Sequence, residues 1–232
     1  MLRHFRGTST VGAVSDSSIE QLRARVPTSV HGQLERSAGL GFLGSMPLSD
    51  QVDHALGFVA TIEESLGRHP RSVLDLGTGG GLPGLVLASC WPQCQVVLVD
   101  ANERRTSFLA TETEGADGRV LVLRGRAEEL GRIADHREAV EVVTARSFGA
   151  PGVTAECASP LVEVDGLVVV SEPPDVEAND RWPSAGLQAM GLVARPATRF
   201  DGRFGFRVLE KVETCPDRFP RRVGIPTKRP IF

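Results

Sequence analysis

The chain has 232 residues, enough for one α/β domain with an appendage and a sizeable core. Its net charge of −3 lacks the global basic signature of many nucleic-acid binders, so any contact with a polyanion must come from local patches. The cysteines (Cys90, Cys94, Cys157, Cys215) fit no zinc spacing, no apolar run is long enough to span a membrane, and no signal-peptide pattern is visible. A reducing cytoplasm is the expected setting.

Residues 1–15 are short of apolar side chains and are expected to fray. Ser18-Ile19-Glu20-Gln21 has the form of a capping box, followed by Leu22 and Val26 on one face until Pro27 interrupts. A weaker helical pattern covers Val30 to Ser37. Gly39 to Gly44 (GLGFLG) is an apolar loop that either fills space under the core, the favoured expectation, or folds over a cleft. The next helix is firmer. Ser49 is placed to cap it, Val52, Ala55, Leu56, Val59, Ile62 and Leu66 form its stripe, and Gly67 stops it. His54 lies beside the stripe and reads as a satisfied boundary residue rather than a ligand.

The chain is organised around Ser72 to Cys90, SVLDLGTGGGLPGLVLASC. Val73 to Leu76 reads as a buried strand, Gly77 to Gly81 as a glycine loop, and an apolar helix starts at about Leu82. Its glycines, lacking Cβ atoms, let the loop turn sharply and let a ligand approach the main chain, and it empties into a helix N-terminus, where free N–H groups attract anions. Asp75 closes the strand and can accept from a ligand amine or from loop amides. Gly79, Gly81 and Gly84 satisfy a dinucleotide fingerprint, but that match alone is weak. Asp100 ends the next strand, Gln95 to Val99, at the separation where an acid commonly meets ribose hydroxyls.

Strands and helices then alternate, which argues for a parallel sheet covered on both faces. A helix holds Glu103 to Thr111. Arg119 to Leu123 leads to a short helix around Ala127 to Ile133, and Val140 to Thr144 leads to one around Val153 to Ala158. Gly166 to Val170 is a fully apolar strand, Pro173-Pro174 reads as a loop, and Ala185 to Met190 as helix. Leu192 to Phe200 and Phe204 to Val212 read as a closing antiparallel pair around Asp201-Gly202.

Asp75-Leu76-Gly77-Thr78-Gly79-Gly80-Gly81 resembles the glycine loop of class I methyltransferases, which bind S-adenosylmethionine. The longer string LDLGTGGGLPGLVLA resembles the glucose-inhibited division protein B family, the guanine-N7 methyltransferases of small-subunit (16S) rRNA. LVDANERRTSFL, Gly125-Arg126-Ala127-Glu128-Glu129, Val143-Thr144-Ala145-Arg146 and the tail FPRRVGIPTKRPIF resemble further stretches of that family. The resemblance runs from about Val73 to Phe232. It implies a Rossmann-like α/β fold, mostly parallel with a reversed last strand, in three parts: a helical N-terminal cap (1–70), a methyltransferase domain (71–215) and a basic, proline-containing tail (216–232).

By the same resemblance S-adenosylmethionine is the cofactor, with Asp75, Gly77 and Gly79 in its loop and Leu82 beside its methionine end. Asp100 would hold the ribose, Ala127 and Glu128 the adenine, and Arg146 would face both the cofactor and the transfer site as the catalytic residue. Arg221, Arg222 and Lys228 would meet RNA phosphates, and the expected partner is ribosomal RNA or the small ribosomal subunit, met by a monomer. Each residue has a plainer role open to it: Leu82 as core, Glu128 as a helix-start acid, Arg146 as an ion-pair partner, the tail as a stiffened extension. The family's usual Asp-Ser after the histidine falls here on Gly57 and Phe58, its Asn-Leu-Thr is missing, and its lysine after the fifth strand falls on Ser171-Glu172. These departures keep two other readings open, a methyltransferase of this fold with another RNA or a small molecule as acceptor, and a nucleotide-binding module without activity.

Overall fold

The computed structural model describes residues 16–173 and 181–232, so the segment 1–15, expected to fray, and Pro174 lie outside the described residues. Three helices come first: α1 (Asp16–Arg23), α2 (Thr28–Gly39) and α3 (Leu48–Leu66). α1 begins two residues before Ser18, so the expected capping box falls inside the helix. α3 begins at Leu48, straight after Pro47, one residue before the serine expected to cap it. Gly67 ends α3 as expected, in the left-handed conformation (φ +69°) that lets its N–H reach Glu63 O at 2.8 Å.

The sheet follows, with β1 (Ser72–Leu76), α4 (Gly84–Cys90), β2 (Gln95–Asp100), α5 (Glu103–Thr113), β3 (Val120–Arg124), α6 (Ala127–Leu130), β4 (Val140–Ala145), α7 (Pro151–Ala158) and β5 (Val162–Glu172). Then come α8 (Ser184–Gln188), β6 (Leu192–Ala194), β7 (Thr198–Phe200), β8 (Phe204–Lys211) and α9 (Ile225–Lys228). Strand order is β3-β2-β1-β4-β5-β8-β6, with β7 also paired to β8. The first five are parallel, and β8 runs antiparallel to β5, β6 and β7. The reversed last strand is therefore present. Its expected partner Leu192 to Phe200 is split in two, and Pro196, which has no N–H for the ladder, sits in the gap. β5 starts four residues earlier than expected, because Val162 pairs with Val140 ahead of an irregularity that brings Leu167 opposite Val142.

Alternation along the strands builds two cores. Val73, Val96, Leu98, Val142, Val169, Phe206 and Val208 face α1 to α5, while Leu74, Leu76, Val99, Val143, Val168 and Leu209 face α6, α7, α8 and the tail. The N-terminal helices thus cover one face of the sheet. All four cysteines are buried and free. The end of α2 and the loop GLGFLG rest on the glycine loop: Ser37 Oγ donates to Gly80 O at 2.8 Å, and a Cβ on Gly80 would lie 2.6 Å from Leu43 Cδ2. No helix among the described residues is long and apolar enough to cross a membrane.

Candidate active site

The carboxyl ends of β1 to β5 converge on one cleft, the place where open α/β sheets hold ligands. Asp75, in β1, is fully buried, and burial raises its pKa from the ordinary carboxylate value. Its Oδ2 accepts from Gly84 N and its Oδ1 from Thr144 Oγ1, each at 2.9 Å. The aspartate braces the turn, joining the start of α4 to the end of β4. It thereby occupies the first amide of that helix, which begins at Gly84, two residues later than expected.

Gly77 has φ +71°, and a Cβ there would come within 2.6 Å of the Phe148 ring. Only glycine combines that conformation with the close ring. Gly79 N donates to Asp100 Oδ2 at 2.9 Å, and Asn102 N donates to Asp100 Oδ1 at 2.8 Å. Two N–H groups thus orient the Asp100 carboxylate, and each oxygen keeps acceptor capacity. Asp100 lines a cavity of about 70 Å³ with Gly77, Val99, Ala127, Glu128 and Phe148. A carboxylate at the end of β2, apolar walls and a glycine-rich loop suit a nucleoside, so the residues present fit S-adenosylmethionine. Glu128 also accepts from Gly224 N at 2.9 Å, which ties the tail to this cavity. Leu82 is buried in the core under α4 and is absent from the lining.

A second cavity, of about 340 Å³, opens beyond Phe148 at the ends of β4 and β5. His54, Phe204, Arg203, Glu172 and Arg181 are among its walls, and Phe148 lines both cavities. Arg146 follows β4, and Ser147 beside it takes φ +53°, a left-handed value uncommon outside glycine. Arg146 Nη2 donates to Gln51 Oε1 at 3.0 Å, and burial pulls the guanidinium below its ordinary pKa while the Asp75 carboxylate acts in the opposite direction. Gln51 Nε2 in turn donates to Gly44 O and Met46 O at 3.0 and 2.8 Å. Nothing in the sequence marks Gln51, a polar residue on a helix that otherwise carries a good apolar stripe.

His54 lies among Phe58, Phe204 and Phe206, with centroids 5.7, 5.0 and 5.5 Å away. Burial, aided by the Arg146 charge, lowers its pKa to about 4. Gly57 is small for a packing reason, since a Cβ there would lie 2.5 Å from the Phe206 ring. Of the tail cations, Arg221 is committed inside the fold: Nε and Nη2 bond the fully buried Glu156 at 2.8 and 2.6 Å. Arg222 and Lys228 are exposed.

The parallel sheet with its antiparallel last strand and the cleft over its carboxyl ends define a class I methyltransferase fold. Among solved structures, a putative O-methyltransferase from Klebsiella pneumoniae aligns with TM-score 0.56 and 16% identity, covering 86% of this chain and 97% of that one. The O-methyltransferase from Bacillus cereus in complex with SAH aligns with TM-score 0.55 and 16% identity, covering 84% and 95%. The family described as rRNA small subunit methyltransferase G matches residues 51–178. Ribosomal RNA small subunit methyltransferase G of Thermotoga sp. (strain RQ2) is 32% identical over 69% of this chain and 72% of its own length, and that of Nostoc punctiforme 29% over 77% and 76%. The chain belongs to the rRNA small subunit methyltransferase G family.

Proposed function

We propose that this protein transfers the methyl group of S-adenosylmethionine to N7 of a guanine in 16S rRNA, acting as a cytoplasmic monomer. The observation that carries the reading is the pair of cavities sharing Phe148, in a chain of this family.

Asp100 would hold the ribose hydroxyls, Ala127 and Glu128 the adenine, and Gly77 would leave room for the methionine end; Asp75 and Gly79 would keep the loop in shape. Bound S-adenosylmethionine supplies a methyl group on a positively charged sulfur. Guanine N7 carries a lone pair and no proton, so the protein needs no general base, and its work is to align an extruded base with that methyl. Arg146, held by Gln51, would bond guanine O6 or a phosphate at the transfer site. Arg222 and Lys228 would meet RNA phosphates.

The test is to incubate radiolabelled S-adenosylmethionine with small subunits and with naked 16S rRNA from a strain lacking this methylation, then digest and identify the nucleosides. N7-methylguanosine at a single site is the expected product. Cofactor binding without transfer to either RNA would refute the rRNA acceptor. It would favour a second reading, a different RNA or small-molecule acceptor, motivated by Glu172 on the wall of the larger cavity.

A further inference from the structure

Glu172 closes β5 on the wall of the larger cavity. Its side chain is 7% exposed, and its two oxygens accept from Arg181 Nη1 and Trp182 Nε1. A carboxylate gripped at both oxygens is oriented before any ligand arrives, and each oxygen keeps a further lone pair. A carboxylate on a cavity wall favours an occupant that brings N–H donors to its remaining lone pairs, because an acceptor-rich edge placed there would set lone pair against lone pair. The remaining walls offer flat apolar surface from Phe148 and Phe204, and Arg203, 46% exposed, lies 4.8 Å over the Phe204 ring at the rim. The Arg203 guanidinium is already paired with Asp50 at 2.7 Å, so the cavity suits a planar heterocycle with donors on one edge. At about 340 Å³ it lies in the range of small-ligand pockets.

Guanine alone among the four RNA bases presents two adjacent donors on its Watson–Crick edge, N1–H and the N2 amine. Adenine and cytosine set a single amine beside an acceptor nitrogen, and uracil sets one N–H between two carbonyls. We propose that Glu172 selects the base by accepting both donors of an extruded guanine, an inference that rests on the guanine-N7 reading and names its specificity-determining residue. Bound by that edge, the base turns its N7 side away from Glu172.

The test compares the full-length protein with Glu172→Gln, which keeps the side-chain shape and replaces one acceptor oxygen by a donor. Two measurements are made: methyl transfer to 16S rRNA carrying guanosine or inosine at the target, and binding of GMP or IMP to protein saturated with S-adenosylhomocysteine. Inosine and IMP lack the N2 amine. The native protein should favour the guanine partner by about tenfold in both, the worth of a charged hydrogen bond, and Glu172→Gln should bring the ratio near one with unchanged cofactor affinity. If Glu172→Gln does not fold, Glu172→Asp, which withdraws the carboxylate by one methylene, is compared in the same way. Transfer to guanosine with the same ratio in native and variant protein overturns the role of Glu172 and leaves the function standing. A GMP preference that Glu172→Gln abolishes, without any transfer to rRNA, upholds Glu172 and refutes the rRNA acceptor. Neither transfer nor preference refutes both.

Discussion

Gln51 Oε1 accepts from Arg146 Nη2 at 3.0 Å across 95 positions of sequence, and so joins the N-terminal helices to the end of β4. The same amide donates to Gly44 O and Met46 O, in the loop whose Leu43 lies against Gly80. One side chain therefore sets both the arginine and the loop that covers the glycine turn.

Gln51→Leu removes all three bonds while keeping the size of the side chain. The turnover number should fall about tenfold, the cost of one displaced charged hydrogen bond, with cofactor affinity within about twofold. Gln51→Glu keeps an acceptor for Arg146 but points an oxygen at two carbonyls, so it should retain more activity than Gln51→Leu and lose the loop contacts. Calorimetry for cofactor and single-turnover transfer separate these effects. Native turnover in Gln51→Leu would make the bond incidental.

Asp100→Ala removes the oriented carboxylate from the smaller cavity. Loss of charge-assisted bonds to ribose hydroxyls should weaken S-adenosylmethionine binding by about tenfold to a hundredfold. The Gly79 and Asn102 amides also lose their acceptor, so thermal unfolding must be followed alongside. Unchanged affinity by calorimetry would take Asp100 out of the site.

Much of this arrangement is legible in the sequence because its signals are local. The glycine loop, the acid ending β2, the stop at Gly67 and the alternation of apolar strands with helices each depend on a few adjacent residues. What escapes is whatever two distant segments decide together. Gln51 looks like an ordinary polar helix residue until Arg146 is beside it. Lys211, a charged residue within the expected strand Phe204 to Val212, is fully buried, with Nζ donating to Ser159 O at 2.5 Å and paired with Glu138 at 3.0 Å. Gly57 and Phe58 look like lost functional positions, but in the fold Gly57 makes room for Phe206, and Phe58 packs edge-on against the same ring at 4.9 Å. The tail cations cannot be sorted by sequence either, since only the buried Glu156 on α7 separates Arg221 from Arg222 and Lys228.

Arg221→Ala should therefore destabilise the protein. It strips the counter-charge from Glu156, and an unpaired buried carboxylate costs about 3 kcal/mol. It should also loosen the tail from α6, where Gly224 N meets Glu128, and so weaken cofactor binding. Arg222→Ala and Lys228→Ala should stay within about 0.5 kcal/mol of native stability and instead lower RNA affinity and its salt dependence. Urea midpoints and RNA binding at several salt concentrations separate the two classes. A stable Arg221→Ala with weakened RNA binding would reverse their assignment.

Gly57→Ala tests the packing explanation directly. The added Cβ meets Phe206 Cε2 and Cζ at 2.5 Å and Phe200 Cδ1 at 3.2 Å. Overpacking of about 1–3 kcal/mol is opposed by roughly 1 kcal/mol of improved helix propensity. A net loss of about 1 kcal/mol or more is expected in urea unfolding. Gly57→Asp should lose considerably more, because it also buries a charge among aromatic rings. Native stability in both variants would mean that the Phe206 ring yields freely.

His54 gives the fold a pH-dependent component whose sign follows from its pKa. The ordinary value of about 6.5 applies to the unfolded chain, whereas burial and then Arg146 lower the folded value to about 4. Above pH 6.5 the imidazole is neutral in both states and contributes no slope. Between 6.5 and 4 the unfolded chain takes up a proton that the folded protein refuses, so stability falls as the pH drops, by at most about 3 kcal/mol at the bottom of the window. The neighbours facing the ring, Phe58, Phe204, Phe206 and the Arg146 charge, offer no carboxylate to reverse this. His54→Phe removes the titrating group and keeps a ring in the cluster. Urea midpoints at pH 7.5, 5.5 and 4.5 should show native protein losing stability relative to His54→Phe as the pH falls, and parallel curves would mean that His54 titrates normally in the fold.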